Sequence, residues 1–132
     1  MQTVSMIALV VRDYDEAIAY YTAVLGFDLI EDKMMTAEKR WVVVSPTRST
    51  GARLLLAKAA NREQELRVGN QTGGRVFLFI DTDNFSRDYA NYVERGVKFI
   101  APPRKEEFGT VAIFEDLYGN KWDLVERTDC AA

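Results

Sequence analysis

The chain has 132 residues, of which 48% are hydrophobic and 28% are charged, and its formal net charge is −3. This length is enough for one domain that buries its core without disulfides or a structural metal. The 17 basic and 20 acidic residues are interspersed, which leaves no basic footprint for nucleic acid and no polybasic segment for a membrane surface. We therefore expect one globular domain, with no nucleic-acid and no membrane partner.

The sequence also indicates the cellular compartment and limits the metal-binding and acid–base chemistry. No apolar run is long enough to cross a bilayer, and the opening residues Met1 to Val4 lack the features of a signal peptide. The single cysteine, Cys130, lies near the end of the chain, so an internal disulfide is not possible. These features predict a cytoplasmic protein. The sequence contains no histidine, which removes the commonest metal ligand and the commonest acid and base near neutral pH.

The first half of the chain reads as a strand, a helix and three strands. Val4 to Val11 is a continuous apolar run that favours a buried strand. Asp13 is expected to cap a helix, with Glu16 reaching back to it, and Gly26 ends that helix. Three short strands are predicted to follow, at Phe27 to about Met35, Arg40 to Ser45 and Ala52 to Lys58.

The same pattern returns after a polar stretch. Residues 59 to 69 are compatible with a short surface helix or a covering loop, and residues 70 to 74 form the clearest breaker run, so repeat one is placed at about 1–69 and repeat two at about 74–128. Asp83 or Asn84 is expected to cap the second helix, which Gly96 ends. The strands are predicted at Arg75 to Ile80, Val97 to Ala101, Thr110 to Glu115 and Lys121 to Val125.

The repeat defines the predicted fold. The helix boundaries Asp13 and Gly26 correspond to Asp83 and Gly96, which lie 70 positions later in the chain. The apolar residues along the two helices match better when the second half is shifted by 71 positions: Tyr14, Ile18 and Tyr21 against Phe85, Tyr89 and Tyr92. We expect an α+β fold of two tandem βαβββ modules that form an open, curved, barrel-like mixed sheet, with a helix packed on each module. Paired modules of this kind are expected to enclose a cleft.

Several short motifs make the chain resemble the vicinal-oxygen-chelate superfamily, which includes glyoxalase I, extradiol dioxygenases and bleomycin-resistance proteins. They run in order along nearly the whole chain: Val10 to Asp13 with Ala17 to Tyr21, Val24 to Phe27, Arg40 with Trp41, Gly96 to Phe99, and Gly109 to Asp116 with Gly119 and Asn120. The resemblance implies paired βαβββ modules and a homodimer.

The resemblance also implies where a metal would be held. Metal-dependent members place ligands, usually histidine and glutamate, on the first strand and on a late strand of each repeat. Those positions fall on Met6, on Val76 or Phe77, on Arg53 or Leu55, and on Asp123. Only Asp123 offers an oxygen ligand, and a divalent ion needs three or more protein donors. We therefore predict no metal and no other cofactor.

Asp123 is the central candidate, either as a general base with a raised pKa or as a carboxylate paired with Arg53 or with backbone donors. Arg53 could instead bind a substrate carboxylate. Trp122 should face the helix and be structural. The other predicted ligand-binding residues would form an apolar wall for an aromatic or hydrophobic ligand, although each could also simply fill the core: Met6, Trp41, Leu55 and Phe77.

Two functions follow. The favoured one is a glyoxalase- or bleomycin-resistance-like protein that binds a small hydrophobic or aromatic molecule in a cleft without a metal. The alternative is an enzyme of the lyase, isomerase or dioxygenase type, in which Asp123 acts as a base or helps to hold an atypical metal ion with other carboxylates: Glu31, Asp32 and Glu115. The residues before Gly109, Glu106 to Phe108, are read as a turn or as a lid.

Overall fold

A computed structural model describes residues 1–128, and the chain divides after Gly69 into two units. The first unit begins with a strand and a helix, and the helix continues into a π-helical turn at Tyr20–Val24. Its elements in chain order are β1 (Met6–Val11), α1 (Tyr14–Ala19), β2 (Phe27–Met34), β3 (Arg40–Pro46), β4 (Arg53–Lys58) and α2 (Arg62–Arg67). The polar stretch after β4 therefore contains a short helix.

The second unit repeats this order with one addition. Its elements are β5 (Val76–Asp81), α3 (Phe85–Glu94), β6 (Lys98–Phe99), β7 (Arg104–Glu106), β8 (Gly109–Glu115) and β9 (Lys121–Arg127). The sequence did not predict β7, and β6 is shorter than the predicted strand at Val97 to Ala101. Cys130 lies outside the described residues.

Each unit contains an open, mixed sheet of the same topology. The strand order is β1-β4-β3-β2 in the first sheet and β5-β9-β8-β6 in the second, and β7 adds to β8. The first strand of each unit runs parallel to the last one, and the remaining pairs are antiparallel. The predicted α+β fold of two tandem βαβββ modules is confirmed, whereas the cleft that they would enclose stays a prediction.

Side-chain caps fix where the helices begin. The Asp13 carboxylate accepts a hydrogen bond from the Glu16 backbone N–H at 2.9 Å, as predicted. The Glu16 carboxylate pairs with Arg12 at 2.9 Å, and its predicted contact with Asp13 stays a prediction. Asn84 is the residue that caps α3, through a 3.0 Å bond from the Arg87 N–H. The alternative cap, Asp83, instead forms a surface ion pair with Arg87.

The π-helical turn accounts for the two offsets of the repeat. The two caps, Asp13 and Asn84, are 71 positions apart, while the terminating glycines Gly26 and Gly96 are 70 apart. The first helix therefore holds one residue more than the second. That residue is accommodated where the Leu25 N–H bonds to the Tyr20 carbonyl, five residues earlier, at 3.1 Å, which is the π-helical pattern.

One face of each sheet packs on a helix and forms the core. In the first unit the side chains of Leu9, Leu56, Val42 and Val44 are fully buried together with Tyr21 of the π-helical turn. In the second unit the ring of Tyr92 on α3 meets Phe114 on β8 edge-on at 5.5 Å. Burial of such aliphatic and aromatic surface is the main stabilising term in folding. On the opposite faces of the sheets, Val43, Val111 and Val125 are also buried.

Candidate functional site

Alternation along β9 places Asp123 on the sheet face that points away from α3. Its neighbour Trp122 lies on the helix side, where its indole ring stacks on Phe114 with ring centroids 5.8 Å apart. Successive side chains of a strand point to opposite faces, so Asp123 and Val125 share the other face. The prediction that Trp122 is structural is confirmed.

Asp123 lies between two apolar residues on the neighbouring strands. Phe79 of β5 and Ile113 of β8 are its register partners. Phe79 lies on β5, the edge strand of this sheet, and is 60% exposed, a large exposed fraction for an aromatic residue. The sequence predicted Phe77, and not Phe79, as the ligand-binding residue of this strand.

A bulge in β5 explains why Phe79, and not Phe77, is the register partner of Asp123. The pairing of β5 with β9 is irregular between Val76 and Leu78, so that both Val76 and Phe77 stand opposite Lys121. Neither residue is the register partner of Asp123. Phe77 nevertheless corresponds in sequence to Met6, because it lies seven positions before its helix cap, as Met6 does.

One oxygen of the Asp123 carboxyl group is buried without a hydrogen-bond partner among residues 1–128. Asp123 is 9% exposed, and its Oδ1 atom accepts no hydrogen bond within residues 1–128. Burial raises the pKa of Asp123 above its ordinary value, and the charge of Arg104 on β7 opposes that rise. The pairing of Asp123 with Arg53, which would join residues of the two units, stays a prediction.

A second buried aspartate provides a contrast. Asp116 is 6% exposed and organises the turn that leads into β9. Its Oδ1 accepts from three consecutive backbone N–H groups, those of Tyr118, Gly119 and Asn120, at 3.0 to 3.1 Å. Its Oδ2 accepts from the Asn120 side-chain amide at 3.0 Å and from the Trp122 indole at 3.1 Å. Asp116 is thus a satisfied structural group, and Asp123 is not.

In the first unit, the register places four predicted site residues on one sheet face. Met6 is paired with Arg53 across β1 and β4, and Leu55 is paired with Val43 on β3. Trp41 shares the face of Val43, two residues along the same strand. These four residues lie opposite the helix-packed face, and their role in binding stays a prediction: Met6, Trp41, Arg53 and Leu55.

Trp41 was predicted as part of an apolar wall, but its indole N–H makes a polar contact. Its indole N–H donates to the Glu31 carboxylate at 2.8 Å, and Lys33 lies 3.7 Å from the same carboxylate. The ring is therefore held in one orientation by a polar partner on β2. A fixed aromatic ring loses little conformational freedom when a ligand packs against it.

The donor set does not fit a metal ion. Within residues 1–128, no group of three or more His, Cys, Asp or Glu side chains could hold one. Strand pairing makes Leu55 the counterpart of Asp123, because Leu55 pairs with Ala8 of β1 as Asp123 pairs with Phe79 of β5. A lone carboxylate whose counterpart is a leucine cannot complete the coordination of a divalent ion.

The alternative carboxylate set is also not assembled. Glu31 bonds to Trp41 on one face of β2, whereas Asp32 accepts from the Arg40 guanidinium at 2.7 Å on the other. Glu115 is paired with Lys98 at 3.1 Å. The proposal of an atypical metal site at Glu31, Asp32, Glu115 and Asp123 is therefore wrong, because three of the four carboxylates are committed to other partners.

Replacing Asp123 by asparagine is expected to raise the free energy of unfolding by about 1 kcal/mol at neutral pH, because a buried, unpaired charge is removed. The raised pKa means that the folded protein keeps a proton which the unfolded chain has lost. The stability of the original protein therefore falls as the pH rises from about 3.8, the ordinary value, through the raised pKa of Asp123.

The measurement is urea unfolding of both proteins between pH 3 and pH 8. The advantage of the Asp123→Asn variant should be small at the acidic end, grow through that window and then stay constant. An advantage that is the same at every pH would show that the charge of Asp123 is not the cause.

The two βαβββ units, each with its first and last strands parallel, define the class of protein: a duplicated α+β fold. The chain belongs to the Glyoxalase/Bleomycin resistance protein/Dioxygenase superfamily, whose sequence model matches residues 3–124. The resemblance drawn from the sequence motifs is thereby confirmed.

Individual proteins match over nearly the whole chain. A protein of Shewanella frigidimarina (strain NCIMB 400), described as uncharacterized, is 57% identical over 97% of this chain and 96% of its own. The crystal structure of UcmS2 superposes with a TM-score of 0.82 at 28% identity, over 96% of this chain and 98% of that one. TnmS3, an antibiotic binding protein from Streptomyces sp. CB03234, has a TM-score of 0.77 at 26% identity, with 97% and 98% covered.

The described residues contain no helix long and apolar enough to span a membrane.

Proposed function

We propose that this protein binds a small hydrophobic or aromatic molecule without a metal ion, and that Asp123 orients that molecule. The observation that carries the proposal is the buried, unpaired Oδ1 of Asp123 beside the exposed ring of Phe79. A structural relative at 26% identity is an antibiotic binding protein, which supports binding as the activity.

The proposal follows from the cost of leaving these groups without partners. A buried acceptor without a hydrogen bond costs about 1 to 3 kcal/mol, and the chain supplies no donor to it within residues 1–128. A ligand with an N–H or O–H group would recover that energy, while its apolar part covers Phe79 and Ile113. Binding sites commonly combine an apolar lining with a few polar groups that fix orientation.

Phe79 offers a direct test of this surface. The Phe79→Ala variant is expected to bind naphthalene-based ligands about threefold to tenfold more weakly, because an aromatic pair contributes about 0.5 to 1.5 kcal/mol. Titration calorimetry with 2-(2-naphthyl)ethanol measures this change.

The matched control is Phe108→Ala. Phe108 is an exposed phenylalanine in the turn between β7 and β8, so its removal should leave the affinity unchanged. Equal weakening by both replacements, or no binding of any aromatic probe by the original protein, would contradict the proposal.

A second candidate function is proton abstraction by Asp123 as a general base. It is favoured by the unpaired oxygen and the raised pKa of this carboxyl group, which are features of catalytic carboxylates. Exchange of the acidic C–H hydrogens of aryl ketones into D₂O, followed by NMR, tests it. Exchange that is faster with the protein and is lost in Asp123→Asn supports catalysis; exchange at the uncatalysed rate removes it.

We also propose a cellular location and an oligomeric state. The protein works in the cytoplasm as a homodimer, with the two units acting together as one 132-residue ligand-binding domain. The support is the implication drawn from the superfamily resemblance together with a sequence that has a single cysteine and no possible internal disulfide. Light scattering after size-exclusion chromatography measures the mass: 15.0 kDa for the particle would rule out the dimer.

A further inference from the structure

We infer that Arg104 is a second polar anchor of the Asp123 site, and that the ligand is an aromatic amine which also carries an anionic group. This inference rests on the proposed function, since it names the class of ligand that the same sheet face would bind. Its basis is the placement of Arg104 on the added strand β7.

Arg104 lies on the same sheet face as Asp123. It is the register partner of Val111 on β8, and Val111 is in turn the partner of Val125 on β9. Paired residues of neighbouring strands point to the same side of a sheet, and Val125 lies two residues after Asp123. The charge of Arg104 is also the one that acts against the raised pKa of Asp123.

The Arg104 side chain makes one ion pair and keeps further N–H donors. Its Nε atom donates to the Glu106 carboxylate on the same strand at 2.5 Å. Arginine carries five N–H donors in a planar fork, and the Nε–H is the one that donates within residues 1–128. The two terminal nitrogens remain able to bind a carboxylate or another anion.

The other charged groups of this face already have partners. Lys98 pairs with Glu115 at 3.1 Å, and Arg127 pairs with Asp81 at 3.3 Å. The Lys121 ammonium donates to the Gly74 carbonyl at 3.1 Å. Arg104 differs from these cations because its charge acts on Asp123.

Their order across the sheet sets the order of groups in the ligand. From β5 to β7 the residues of this face are Phe79, Asp123, Ile113 with the fully buried Val111, and Arg104. Neighbouring strands are about 4.8 Å apart, and the long arginine side chain shortens the remaining gap. The complement is an aromatic ring, then a protonated amine, then an anionic group.

Four naphthalene probes that differ only in their polar groups test the inference. These are 3-(2-naphthyl)alanine with both groups, 2-(2-naphthyl)ethylamine with the amine, 3-(2-naphthyl)propanoate with the carboxylate, and 2-(2-naphthyl)ethanol with neither charge. We expect the original protein to bind the amino acid at least fivefold more tightly than the amine and the acid, as measured by titration calorimetry.

The variants assign each preference to a residue. Arg104→Met should abolish the preference for the amino acid over the amine, and Asp123→Asn should abolish its preference over the acid. Lys98→Met is the matched control, because the Lys98 ammonium lies on the same face and pairs with Glu115 at 3.1 Å, and it should keep both preferences. Thermal unfolding of each variant checks that it is folded.

The outcomes separate this inference from the proposed function. If all four probes bind with equal affinity, the inference fails and the proposed function stands. If Arg104→Met weakens the amino acid and the amine equally, Arg104 is only structural and the inference fails. If no probe binds, both fail.

Discussion

Replacing Asp116 by alanine is expected to lower the free energy of unfolding by about 3 to 5 kcal/mol. The side chain accepts hydrogen bonds from three backbone N–H groups, from the Asn120 amide and from the Trp122 indole. Alanine leaves all these donors without their acceptor. The Trp122 indole is 2% exposed, so water cannot readily replace the lost bond. Chemical unfolding monitored by the fluorescence of Trp122 and Trp41 measures the loss.

Asp116→Asn and Asp123→Asn form a matched pair for this prediction. At Asp116 the new amide group would face the Asn120 and Trp122 donors, so a loss of about 2 kcal/mol is expected. At Asp123 the same chemical change should stabilise the protein at neutral pH. Changes of the same sign at both positions would contradict the distinction between a satisfied and an unsatisfied carboxylate. If the alanine variant does not fold, the asparagine pair still decides the matter.

Replacing Gly109 by alanine is expected to cost about 3 kcal/mol or more, because the added methyl group meets backbone that cannot move aside. Its Cβ atom would lie 2.1 Å from the Glu126 carbonyl oxygen and 2.8 Å from the Arg127 Cα. The φ angle of Gly109 is also +148°, which side chains rarely adopt. Gly109 begins β8 and faces Arg127 on β9, so the strain would separate these strands at the end that carries β7.

Gly74→Ala is the matched control for this replacement. Gly74 also has a positive φ, +104°, but nothing lies within 4 Å of the position its Cβ would take. Only the backbone strain remains there, about 1 kcal/mol. Urea unfolding of the two variants should therefore differ by about 2 kcal/mol, and equal losses would show that the close approach of Glu126 is not the main cause. Arg104-dependent ligand selectivity should be lost only in Gly109→Ala.

The sequence was sufficient for most elements of the fold because the breaks between them are chemically marked. Gly26 and Gly96 end their helices with positive φ angles, and Asp13 begins the first helix with the predicted hydrogen bond. The ion pair of Glu16 with Arg12 was not predicted, because a capping pattern does not weigh charged neighbours. Strand β7 was missed because three polar, exposed residues have no apolar periodicity of their own.

The candidate site was predictable in part. Asp123 was found through the superfamily resemblance, and the alternation with Trp122 gave its face. Phe79 was missed because the bulge at Val76 and Phe77 shifts the register, and a bulge leaves no clear mark in a single sequence. Arg104 was missed because β7 has no counterpart in the first unit, so the repeat could not point to it.

The π-helical turn at Tyr20–Val24 decides which way the end of the first helix faces. An extra residue in an ordinary α-helix would rotate everything after it by about 100° and turn Leu25 away from the interior. The wide turn absorbs that rotation, and Leu25 remains 4% exposed. Removing one residue from this turn should therefore leave an ordinary α-helix that still directs Leu25 into the core, as α3 does for its own buried residues without such a turn.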